Sequence, residues 1–183
     1  MNWLTFTILA YLGFALQVIL APIWPILGHE PMILLILLVF IGLQAPALVV
    51  AWSAVLLGIL ADILPVQQPV TGVVGPWALG FLAAGYAMVQ LRNLLFRDSM
   101  FTIGIMTLIA GIFALLVATM LQALRGVPIF GNESIEGFKA ANQLYRGFFT
   151  LLNTAIFAVP LLSLIHISEP TRPSKSSRMP SSA

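Results

Sequence analysis

Gly58-Ile59-Leu60-Ala61-Asp62-Ile63-Leu64-Pro65 closes a long apolar block with the only acidic residue in any of the chain's hydrophobic runs. A charge at the centre of a bilayer costs at least about 2.5–3.5 kcal/mol, so a carboxylate in this setting is a candidate functional group whose partner must be found. Ala54, Gly58 and Asp62 recur at i, i+4. On a helix they form one stripe with little bulk beside the carboxylate, against which another helix can close. Asp62 then has three ways to be satisfied: a polar group within its own bundle, a group from a partner, or interfacial water just ahead of Pro65.

Other chemistry is sparse. No second carboxylate lies near Asp62 to work with it as acid and base, and there is no Gly-rich phosphate loop, HExxH or Ser/His/Asp set. The chain has no cysteine, hence no thiolate ligand or nucleophile. His29 and His166 lie far apart without ligand-like spacing, and His29 reads as a residue at headgroup level. The expectation is a protein that is not an enzyme and carries no cofactor and no metal. Proton-coupled carriage would need a polar pathway, for which the remaining apolar runs offer almost no lining.

Composition sets the class. Of 183 residues, 60% are hydrophobic and 8% charged, more apolar surface than a soluble domain of this size can hide. The chain reads as all-α: a polytopic transmembrane bundle of about six helices. The formal charge of +2 does not signal nucleic acid or anionic lipid, because Arg172, Lys175, Arg178 and Glu169 account for all of it. These residues sit in a stretch that reads as foreign. Leu162–Arg172, LSLIHISEPTR, resembles translated transposase-adapter DNA from sequencing libraries, and Ser177–Ala183 continues the match after a short variable segment. Residues 162–183 are therefore expected to be a non-native, disordered tail and residues 1–161 the membrane domain.

The elements that must position Asp62 follow from apolar runs and breakers. A first helix over 4–22 ends at Pro22, Pro25 and Gly28, with Trp24 at an interfacial position and His29-Glu30 as a polar turn. Met32–Leu64 is about 33 residues, a helix of roughly 50 Å if continuous, against a hydrocarbon core of about 30 Å. Gln44-Ala45-Pro46 divides it into helices at 32–43 and 47–64, a hairpin of short helices of the kind tolerated where buried in protein. Pro65–Gly72 is a loop holding Gln67 and Gln68.

A fourth helix spans 75–90, with small pairs Gly80/Ala84 and Ala83/Ala87, and a fifth spans 100–124 with Ala110, Ala114 and Ala118 on a similar stripe. Between them, Arg92 and Arg97 form a basic turn. Arg125–Arg146 is a polar connection that is either a solvated loop or carries an interfacial helix capped by Asn132, with Glu133 and Glu136 in its first turn. Asn132-Glu133-Ser134 also fits a glycosylation sequon, a weak match. A sixth helix is expected over 147–161. The positive-inside bias puts Arg92 and Arg97 in the cytoplasm, in competition with Arg125, Lys139 and Arg146 on the next connection.

Pro31 before a Leu-rich run, Gly58-x-x-x-Asp62-x-Leu64, an apolar helix from Gly80 to Gly85-Tyr86, and Leu91-Arg92-x-x-Leu95-Phe96-Arg97-Asp98 together resemble the rod shape-determining MreD family. The resemblance covers about Leu4 to Leu124, with a weaker echo at Leu144-Tyr145-Arg146 through Asn153 and Pro160. It implies a small component of the bacterial inner membrane that works with MreC, the actin-like MreB, and the RodA-type wall synthase with its penicillin-binding transpeptidase. It also implies a membrane fold like that of energy-coupling-factor substrate-binding components. Gly58 and Asp62 match the family's Gly/Asp motif, and Arg92 and Arg97 its basic turn. The chain departs from the family in lacking N-terminal basic residues, in its Gln67-Gln68 loop and in the long 125–146 connection.

Two functions follow as expectations. The first is a scaffold whose small-residue faces and single acid, Asp62, pack against another membrane helix. The alternative is the substrate-binding subunit of an energy-coupling-factor vitamin or metal transporter, with a polar and aromatic pocket drawn from Trp24, Trp52, Trp77, Gln67 and Gln68.

Overall fold

A computed structural model describes residues 3–23, 25, 28–64, 74–92, 100–125 and 140–167. Among these are six α-helices: α1 (Trp3–Ile19), α2 (Ile33–Gln44), α3 (Ala47–Ile63), α4 (Pro76–Leu91), α5 (Met100–Arg125) and α6 (Ala140–Ile167). A short 3₁₀ turn, Ala21–Ile23, follows α1. Three segments are long and apolar enough to cross a membrane: Phe6–Ile23, Ile103–Leu124 and Ala140–Leu161. The fold is a polytopic helical membrane bundle.

Breakers set the ends of the short helices. Ala45 precedes a proline, which disfavours helical backbone, and it lies extended at ψ 156° as the C-cap of α2. Pro46 is the N-cap of α3. Pro76 opens α4, where its missing N–H costs nothing and its fixed φ suits the first turn. Gly75 before it takes φ 139°, a conformation L side chains rarely adopt.

The sixth helix departs from the expected 147–161 at both ends. It starts at Ala140, because Ala140, Ala141, Gln143 and Leu144 are sound helix formers with no breaker among them. It also runs through Ile167, carrying regular helix into the stretch expected to be disordered, and Pro160 lies inside it. The interfacial helix considered around Asn132 falls outside the described residues, as do Trp24, Gln67, Gln68 and Arg97.

The helix apolar on every side is the central one. Leu34, Leu35, Ile36, Leu38, Val39 and Ile41 of α2 are all buried, and α2 packs against each of the other five helices. Consecutive pairs from α3 to α6 form the rest of the core. At the α4–α5 contact a Cβ on Gly80 would lie 2.6 Å from Ala114 O, and Ala110, Ala114 and Ala118 are buried along the same face of α5. The small stripes are thus used within the bundle, where missing bulk lets backbones approach.

Candidate functional site: helix ends capped across the bundle

At 12 residues, α2 is about 18 Å long, short of a hydrocarbon core of about 30 Å. At least one of its ends must therefore lie where water is scarce, and a helix end leaves up to four backbone groups unsatisfied. The sequence supplies no local remedy at the N-termini. The N-cap residues of α2, α3 and α4 are Met32, Pro46 and Gly75, none with a side-chain cap hydrogen bond. Side chains from other helices supply the partners for α2 and α4.

Asp62, on the last turn of α3 and only 4% exposed, caps α4. Its Oδ2 accepts from Gly75 N–H at 2.7 Å and Ala78 N–H at 3.1 Å, and its Oδ1 accepts from Trp77 N–H at 3.1 Å. The carboxylate thus takes the available amides of the first turn, Pro76 having none, and sits at the positive end of the helix dipole. Gly58, one turn earlier, makes the approach possible. A Cβ there would lie 2.5 Å from Ala78 Cα and 2.7 Å from Trp77 O. Further along the same crossing, Ala54 faces Gly85, whose added Cβ would come within 3.1 Å of the Ala54 methyl.

Arg92 stands at the opposite end of α4, 16 residues and about 24 Å from the Asp62 cap. Its Nη1 donates to Ala45 O at 2.6 Å and to Gly42 O at 3.4 Å, placing a cation at the C-terminus of α2. Gly58 and Asp62 therefore act together, Arg92 acts elsewhere, and α4 links them.

The N-terminus of α2 is held by residues that motif reading passed over. Gln17 of α1, 3% exposed, donates from Nε2 to Pro31 O at 3.0 Å and accepts at Oε1 from Ile33 N–H at 2.5 Å and Leu34 N–H at 3.4 Å. Thr154 of α6 accepts from Met32 N–H at 2.8 Å and donates to Thr150 O at 2.6 Å. Asn153 donates to His29 O at 2.6 Å. A usable signal was present: Gln17 is the lone amide of its apolar run, and Asn153-Thr154 interrupts another.

These groups are arranged to satisfy backbone, and among the described residues no cluster of three or more His, Asp or Glu side chains could hold a metal ion. The transporter alternative called on Trp52 and Trp77 to line a pocket. Trp52 is 56% exposed on the outer face of α3, whereas Trp77 is buried against Phe81 in the core. A groove of about 710 Å³ runs along α4 between α3 and α5, and its lining, including Ala51, Leu79, Ala83 and Leu121, is apolar apart from Tyr86 and Gln90.

Fold and capping together define an integral membrane protein of the polytopic helical class, with short inner helices tied end to end by buried polar side chains. The family model for rod shape-determining protein MreD matches residues 1–165, and the chain belongs to that family. No curated protein and no solved structure matches it. The likeness to energy-coupling-factor components is therefore carried by the sequence resemblance alone.

Proposed function

We propose that the protein is a non-enzymatic, multi-pass scaffold of the bacterial cytoplasmic membrane that helps couple MreC and MreB to peptidoglycan synthesis by a RodA-type synthase and its transpeptidase. The observation that carries this reading is the family match over residues 1–165. The geometry supports it in one respect. Asp62 and Arg92 are both engaged in holding helix ends, so their conspicuous charges serve the shape of the bundle and leave its outer surface for partners. In this reading Arg92 and Arg97 lie on the cytoplasmic side.

The test is co-purification from the native host, with the protein at its normal membrane level. Recovery of MreC and the wall synthase is the expected result. Recovery of an ATPase module in their place would replace the scaffold with a transporter subunit. An Asp62→Ala variant, compared at equal folded protein, should recover the same partners, because the carboxylate works inside the bundle.

A further inference from the structure

The groove along α4 ends beside a cation. Its lining residues Leu79, Ala83, Tyr86 and Gln90 recur at i, i+4, i+7 and i+11, so they share one face of α4, with α3 and α5 packed on either side. Ala47 of α3 and Leu121 of α5 stand in the two walls. Leu79, Tyr86 and Gln90 are exposed, so the groove opens outward, toward the bilayer around the bundle.

The two polar lining residues, Tyr86 and Gln90, both lie toward the C-terminus of α4. Arg92 follows Gln90 by two residues, and its Nη1 donates at 2.6 Å to the carbonyl of Ala45, two residues before Ala47. Two residues span at most about 7 Å, so the guanidinium is held at this polar end of the groove. Nη1 serves the carbonyls of Gly42 and Ala45, while Nη2 and Nε have no partner among the described residues and are not buried. No carboxylate among the described residues pairs with Arg92. Its charge is thus open to an anion at the mouth of an apolar channel.

Length separates the possible occupants. From Leu79 to Gln90 the lining rises roughly 16 Å along α4. One leaflet is about 15 Å deep, half of a hydrocarbon core of about 30 Å, whereas a crossing helix needs the whole core.

We propose that the groove binds an anionic phospholipid from the leaflet on which Arg92 lies, with one acyl chain along α4 and the phosphodiester on Nη2 and Nε of Arg92. The planar guanidinium fork pairs with two phosphate oxygens and keeps its charge while Nη1 is occupied. Basic pockets between membrane helices bind such headgroups by the same attraction. A lipid held there buttresses the Arg92 cap on α2. The inference does not depend on the scaffold reading.

The experiment is native mass spectrometry of the full chain, purified in mild detergent, stripped of lipid and titrated with dioleoylphosphatidylglycerol or dioleoylphosphatidylethanolamine. The expected result is saturable retention of one phosphatidylglycerol per chain, with the zwitterionic lipid bound about fivefold more weakly. Ala83→Phe fills the groove and leaves Arg92 untouched; it should weaken phosphatidylglycerol retention at least about tenfold with the lipid-free Tm unchanged. Arg92→Gln should erase the preference between the two lipids, and if that variant fails to fold, Ala83→Phe still decides the matter. Equal binding of the two lipids by the unaltered chain, or retention unchanged in Ala83→Phe, overturns the proposal. Loss of a dimer or of co-purified MreC in Ala83→Phe, with lipid retention unaffected, also overturns it and makes the groove a helix-docking face.

Discussion

Asp62 Oδ2 lies 3.1 Å from the Ala78 amide, across a helix crossing that Gly58 keeps open one turn earlier. The two residues of the Gly58-x-x-x-Asp62 motif therefore do one job: glycine lets the first turn of α4 come near, and the carboxylate satisfies it.

Removing the carboxylate leaves the Gly75, Trp77 and Ala78 amides without their acceptor. Asp62→Ala should lose about 2–3 kcal/mol of stability, combining a lost cap with charge-assisted hydrogen bonds. Asp62→Asn, which keeps one acceptor oxygen, should lose roughly half as much. Unfolding in mixed micelles would check both; equal effects of the two variants would contradict the capping role.

Filling the crossing should be costly in proportion to what stands opposite. Gly58→Ala meets the backbone of α4 at 2.5 Å, which cannot yield without moving the helix, and should cost about 1–3 kcal/mol. Gly104→Ala meets the Val159 side chain at 3.3 Å, which can adjust, and should be near neutral. Folded yield and Tm of the pair provide the comparison.

At the other end of α4, Arg92→Ala should cost about 1–2 kcal/mol by uncapping the Gly42 and Ala45 carbonyls. Arg92→Lys should recover only part of this, since a point charge on a flexible stem does not reproduce the guanidinium fork. Hydrogen exchange at the C-terminal turn of α2 would report the loss locally.

Gln17→Leu and Thr154→Val strip acceptors from the N-terminus of α2. Membrane side-chain hydrogen bonds average about 0.6 kcal/mol and reach about 1.7, so each change should cost about 1–2 kcal/mol, with the upper end expected at Gln17, which serves three backbone groups. Because both act on one helix end, the double variant should deviate from additivity. Additive losses would mean that the two contacts are independent.

The absence of cysteine makes orientation directly testable. In spheroplasts, Arg97→Cys should resist a membrane-impermeant maleimide until the membrane is opened, while Glu133→Cys should react at once. The reverse pattern would invert the proposed topology.

Residue chemistry and spacing alone determined much of this protein. Sixty per cent hydrophobic residues leave no soluble option, Pro46 must interrupt the apolar block because the residue before proline avoids helix, and the ordered motifs carried the family. Local rules also read the helices well, since breakers act on adjacent backbone. They failed at the start of α6, where nothing in Ala140–Arg146 stops a helix and polarity was the misleading cue.

Only the tertiary structure decided what Asp62 and Arg92 hold, and which backbone groups Gln17 and Thr154 serve. Their partners lie 13 to 16, 47 to 50, 14 to 17 and 122 residues away along the chain, apart from the local bond from Thr154 to Thr150. Intrinsic preference and periodicity act over one or two turns, whereas satisfying a backbone group away from water depends on which distant side chain the packed bundle brings to it.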